Sequence, residues 1–153
     1  MSKIRGTFAP SKIASDSFTV NNTWVSQDLY PRHLADVNGD GRDDIVGFAQ
    51  NAVYVSLGET DGTFAPSKIA SDSFTVNNTW VSQDLYPRHL ADVNGDGRDD
   101  IVGFAQNAVY VSLGETDGTF APSKIASDSF TVNNTWVSQD LYPRHLADVN
   151  GDG

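Results

Sequence analysis

The chain has 153 residues, 39% apolar and 20% charged, with 20 acidic against 10 basic side chains and a net charge of −10. That balance excludes a disordered polar tail and any surface built to neutralise phosphates, so nucleic acid and anionic membranes are not expected partners. There is no cysteine, which removes disulfide frameworks and thiolate chemistry, and no apolar run long enough to span a bilayer as a helix.

Residues 1–5 form a short leader without the apolar stretch of a secretion signal, and the location of the protein stays open. From Gly6-Thr7-Phe8-Ala9-Pro10 onward a unit of 56 residues recurs letter for letter, restarting at Gly62 and again at Gly118. The repeats are 6–61, 62–117 and a shortened third copy, 118–153, holding the first 36 residues of the unit. A fixed period of this size marks an array whose single unit cannot bury its own apolar face and must stack on copies of itself. Identity that extends to surface positions, where drift is tolerated, points to copying by design or very recently, and design is the favoured reading.

Each unit reads as short strands. Residues 44–49 and 52–57 are rich in β-branched and aromatic side chains and flank Gln50-Asn51, a pair suited to a tight hairpin. Residues 12–18 and 32–37 give two more candidates, bounded by Gly, Asn and Pro signals. No window carries apolar residues at helical spacing, so little helix is expected. Four short strands per unit suit a propeller blade, with the first strand at the axis and the fourth at the rim. The expectation is an all-β β-propeller of four-stranded blades, about two and a half per chain. It begins with an outermost strand at 12–18 and ends on a lone inner strand at 144–149. An open ring would leave apolar faces and strand edges in water, so copies of the chain are expected to close it as a homo-oligomer.

The sharpest chemistry lies in Asp36-Val37-Asn38-Gly39-Asp40-Gly41-Arg42-Asp43-Asp44. Oxygen-bearing residues at positions one, three, five and nine, with Gly after the fifth, are spaced to fold around a hard cation. Asp36, Asn38, Asp40 and Asp44 would offer side-chain oxygens and Arg42 its carbonyl; the second set is Asp92, Asn94, Asp96, Arg98 and Asp100. Calcium fits better than magnesium because it accepts irregular oxygen cages, and its role would be structural. The third copy has only Asp148, Asn150 and Asp152 and is expected to bind weakly. The competing reading is a turn closed by carboxylate-to-amide hydrogen bonds.

The stretch Leu34 to Phe48, followed by Val53 to Gly58 and Asp61-Gly62-Thr63-Phe64, resembles the calcium-carrying propeller repeats of integrin α-subunit heads. With Phe18, Trp24 and Tyr30-Pro31-Arg32-His33-Leu34-Ala35-Asp36 added, nearly the whole unit resembles the Psathyrella velutina lectin family. That resemblance implies a calcium-containing propeller lectin that takes N-acetylglucosamine and related acetylated sugars between blades, with glycans as partners. Sugar recognition needs aromatic faces for C–H patches and planar polar groups for hydroxyls. Asn22, Trp24, Asp28, Tyr30, Arg32 and His33 supply both in the first repeat, Asn78, Trp80, Asp84, Tyr86, Arg88 and His89 in the second, and Trp136, Tyr142 and His145 in the third. Each has a structural alternative: packing for the tryptophans, a turn brace for Tyr30, an ion pair for Arg32 and a hydrogen-bonded strand histidine for His33. Asn21-Asn22-Thr23 is also formally a glycosylation acceptor. No nucleophile elbow, phosphate loop or histidine-rich metal constellation is present, so an enzyme is not expected. The alternative to a lectin is a symmetric scaffold without a ligand.

Overall fold

The two stretches of each unit that are richest in valine, isoleucine and aromatic residues become its central strands. A computed structural model, which describes residues 6–153, gives eight strands: β1 (Arg32–Ala35), β2 (Asp44–Phe48), β3 (Val53–Ser56), β4 (Lys68–Ser71), β5 (Arg88–Ala91), β6 (Asp100–Phe104), β7 (Val109–Ser112) and β8 (Lys124–Ser127). The leader lies outside the described residues. The strands form two antiparallel sheets, ordered β1-β2-β3-β4 and β5-β6-β7-β8, the arrangement of two propeller blades. Helix is confined to three-residue 3-10 turns such as Val20–Asn22.

Phe48 faces Val53 across the β2–β3 hairpin, and Ala49 donates its amide to the Ala52 carbonyl, so Gln50 and Asn51 form the two-residue tip. The fourth strand of each sheet comes from the following repeat: Lys68 pairs with Val55, and a bulge falls between Val53 and Tyr54. Each sheet is therefore closed by the neighbouring unit.

Two strand expectations need correction. Residues 12–18 and 144–149 are not strands here. A strand exists only with a ladder partner. The copy at 68–71 has β3 beside it, while residues 12–15 have no third strand to pair with among the described residues. The outer strand is also shorter than expected, because Phe74, like Phe18 and Phe130, takes a left-handed φ of 58° and turns the chain off the sheet.

The core lies between the sheets. Val46, Phe48, Val53 and Val55 of the first sheet meet Phe74 and Ile101 of the second repeat, most of them fully buried. On β6 the alternation is plain: Ile101 points toward the first sheet, while Val102 and Phe104 form a second cluster with Val109 and Val111, under Leu146 of the third copy. Full burial of one such side chain contributes about 2 kcal/mol.

The repeats are also latched by polar groups. The Asp28 carboxylate accepts the amides of Gln83 (3.0 Å) and Asp84 (3.3 Å) and the Ser82 hydroxyl; Asp84 accepts the same three donors from Gln139, Asp140 and Ser138. Farther in, Asp99 donates its amide to the Asp36 carbonyl and accepts the Asp36 amide. Asp84→Ala removes the carboxylate that accepts the Asp140 amide and the Ser138 hydroxyl, while the Gln139 amide keeps the Asp84 carbonyl. It should lower stability by about 1 kcal/mol and increase hydrogen exchange at Asp140, as read by mass spectrometry.

Candidate functional site

Each complete repeat carries a recess over the middle of its sheet. The first, of ≈ 260 Å³, is walled by Phe18, Asn22, Thr23, Trp24 and Tyr30 from the connection and by Gln50, Asn51 and Tyr54 from the β2–β3 hairpin. The second, of ≈ 280 Å³, repeats it with Phe74, Asn78, Thr79, Trp80, Tyr86, Gln106, Asn107 and Tyr110. The connection can lie this close to the sheet because position 47 has no side chain. A Cβ on Gly47 would sit 2.5 Å from Trp24 Cη2 and 2.8 Å from Phe18 Cδ1.

Trp24 is the hub of an aromatic wall. Its ring centroid lies 5.1 Å from Phe18, 6.2 Å from Tyr30 and 6.4 Å from Tyr54, the last two edge-on. At 8% exposure it presents a rim to the recess and buries its far end against Gly47, so it both packs and lines. The Tyr30 hydroxyl donates to Gln50 Oε1 (2.9 Å), and Gln50 Nε2 donates to Asn77 Oδ1 of the next repeat (2.7 Å). One amide thus fixes the tyrosine and ties the wall to the adjoining unit; Gln106 does the same for Tyr86 and Asn133. Two lining residues, Phe18 (φ 58°) and Thr23 (φ 75°), hold backbone conformations rare for bulky or β-branched residues. Such strain is retained where the surroundings demand it, often at binding sites.

Of the residues expected from sequence, the structure brings Asn22, Trp24 and Tyr30 together, and Asn78, Trp80 and Tyr86 likewise. Asp28 and Asp84 instead sit at the latches between repeats. Arg32, Arg88, His33 and His89 lie on the inner strands, outside the recesses. Arg88 is fully buried. His145 lies beside His89, their ring centroids 6.3 Å apart and the planes tilted by 47°. Trp136 and Tyr142 pair edge-on at 6.0 Å with no hairpin beside them among the described residues. Sequence reasoning missed Gln50, Asn51 and Tyr54, which it assigned to a hairpin tip and a strand. Two planar amides at a tip beside an outward-facing tyrosine were the available signal.

The acidic loops carry a different chemistry. Asp36 accepts the amides of Gly39, Asp40 and Gly41, and Asp40 pairs with the Arg42 guanidinium at 2.6 Å. Asp44, fully buried, accepts the amides of Val37 (3.0 Å) and Gly58 (2.8 Å). Burial pushes the Asp44 carboxyl above its usual value against those two hydrogen bonds, and the charges of Asp40 and Asp36 push the same way. Asp40 is held low, first by the Arg42 amide. Among the described residues no group of three acidic or imidazole side chains converges on a common point. A wider groove of ≈ 720 Å³ between the loops at Asp92 and Asp148 has no aromatic wall.

Residues 92–153 match the family described as FG-GAP-like repeat. The same string of letters also runs from 36 to 97, so the matched sequence occurs twice. No curated protein sequence matches the chain significantly. Among solved structures, an Agrocybe aegerita lectin studied for specific recognition of non-reducing terminal N-acetylglucosamine aligns at 34% identity and a TM-score of 0.79. The alignment covers 86% of this chain and 33% of that one, so the chain spans about a third of the lectin's length.

Proposed function

We propose that the chain is a carbohydrate-binding module whose recesses take N-acetylglucosamine or a related acetylated sugar. The observation that carries this reading is the recess itself: an aromatic wall centred on Trp24 facing the planar amides of Asn22, Gln50 and Asn51, built twice with the same residues. Aromatic faces take a sugar's C–H patch, and amides exchange hydrogen bonds with its hydroxyl and acetamido groups. The similarity to a lectin that recognises that sugar supports the choice of ligand. The same similarity supports binding as the role of the recess. Sites of this kind are weak singly, and several on one assembly gain by avidity. Copies of the chain are proposed to meet through the latches and apolar sheet faces that join its own repeats.

Isothermal titration with N-acetylglucosamine tests the reading. Saturable binding is expected, lost at least tenfold in the Trp24→Leu/Trp80→Leu double variant and kept in Asp28→Ala; a flat titration of the folded protein rejects it.

A second part of the proposal is a structural calcium ion in the loops at 36–44 and 92–100. The donors are all hard oxygens, and the hydrogen bonds leave lone pairs on Asp36 Oδ2, on Asp40 Oδ1 and on both oxygens of Asp44. The ion would offset the burial that raises Asp44 and the charges of Asp40 and Asp36 beside it, with the Arg42 carbonyl completing the set. Calcium should then raise the unfolding midpoint by several degrees, and chelator should reverse it. Identical melting curves with calcium and with chelator contradict this part alone.

A further inference from the structure

The inner strands carry a feature that sugar recognition does not use. Arg88 is fully buried and Arg144 is 3% exposed, yet neither meets a carboxylate; the ion pairs among the described residues are Arg42 with Asp40 and Arg98 with Asp96. Arg88 is sealed by the first repeat, its guanidinium carbon 5.4 Å from the Phe48 ring, and Arg144 lies 5.7 Å from Phe104 in the same way. Their other partners are neutral. Arg88 Nε donates to Gln83 Oε1 (3.0 Å) and Nη1 to the Phe74 carbonyl (3.1 Å); Arg144 Nε donates to Gln139 Oε1 and Nη2 to the Asp84 carbonyl. That leaves Arg88 Nη2 and Arg144 Nη1 buried without a partner.

The acids that act on these two arginines from a distance, Asp28 on Arg88 and Asp84 on Arg144, have turned their carboxylates to the latch amides. The molecule holds its own control in Arg32, which has the same sequence context, no repeat packed over it, partial exposure and no unpartnered nitrogen among the buried polar atoms. Packing one repeat on the next therefore creates the problem. A buried guanidinium with no counter-charge is costly, and a ring face offsets only part of that cost. The deficit recurs at both seams, each with one unsatisfied charged donor. His33 Nε2 and His89 Nε2 lie on the same inner strands and are buried without partners as well.

We propose that each seam between successive inner strands binds a small monovalent anion, of halide size, on the unpartnered guanidinium nitrogen of Arg88 or Arg144. The anion supplies the charge that the Asp28 and Asp84 latches withhold, so that seam formation and anion binding are linked. This proposal is independent of the sugar reading.

Thermal unfolding of the full chain in sodium chloride or bromide, against sodium gluconate at equal ionic strength, tests it, because gluconate is a far larger anion than the halide-sized one proposed. The midpoint should rise by several degrees with halide and saturate, and the Arg88→Met/Arg144→Met variant should lose the difference. Equal midpoints in the unmodified chain, or a halide effect that survives in the variant, overturn it. Should that variant not fold, anomalous diffraction from bromide-soaked crystals of the unmodified chain decides. A peak within hydrogen-bonding distance of Arg88 Nη2 or Arg144 Nη1 supports the site; water density there without a peak overturns it.

Discussion

Replacing Gly103 by alanine is expected to cost about 3 kcal/mol, the upper end of what overpacking usually costs. For a chain of this size that is a fall of roughly 6–12 °C in the unfolding midpoint. The added Cβ would lie 2.5 Å from Trp80 Cη2 and 2.8 Å from Phe74 Cδ1. Neither ring can retreat cheaply. Phe74 is 1% exposed and already in a left-handed conformation, and Trp80 stands between Phe74 and Tyr86. The damage should fall first on the recess, because Trp80 is its wall. Sugar binding at the second repeat should vanish at temperatures where the variant is still folded. An unchanged midpoint by circular dichroism would show that the connection does not rest on the sheet as described. Gly47→Ala should behave alike in the first repeat.

Acid should loosen the seams between repeats. Burial lowers the pKa of His89 from 6.5 to about 4, and the charges of His33, His145 and Arg144 that face it push the same way. His33 is lowered for the same first reason, helped by Arg88. The unfolded chain takes up these protons near pH 6.5, while the folded chain refuses the His89 proton until about pH 4 and takes up that of His33 later than the unfolded chain does. Between those values the unfolded state binds more protons, so stability falls as pH drops through that window and is fully present above it. The carboxyls of Asp44, Asp99 and Asp100 are raised, first by desolvation, and act in the opposite sense, the folded chain taking their protons first. His89→Gln separates the two contributions and should flatten the fall in midpoint between pH 6.5 and 4. Parallel profiles for the variant and the unmodified chain would clear the histidines of any part in acid lability.

The central strands were legible because their signals are local: β-branched pairs around a two-residue tip specify β2, β3 and the register between them. Trp24, Tyr30 and Asn22 were legible as a chemical set, since sugar-binding groups cluster within one connection. What could not be read depends on which unit lies beside which. The same letters make a strand at 68–71 and none at 12–15, because only the former has a neighbour to pair with. Asp28 looks like a ligand until the amides of Gln83 and Asp84 are placed against it, and Arg88 looks like Arg32 until Phe48 closes over it. Gln50 and Tyr54 were hidden by their other duties, since a turn amide and a strand tyrosine announce no site until the connection folds down on them.

The latches have a direction. Asp28 reaches forward to the amides at 83 and 84 and Asp84 forward to those at 139 and 140, while the carboxylate that reaches backward, Asp99 to the Asp36 amide, comes from a different position in the unit. A row joined this way is polar, with two unlike rims that cannot mate with their own kind. Association by a twofold axis would set like against like and forfeit every latch. Copies joined through these latches would add head to tail, which yields a closed circle when the rotation per step divides a full turn and a fibre when it does not.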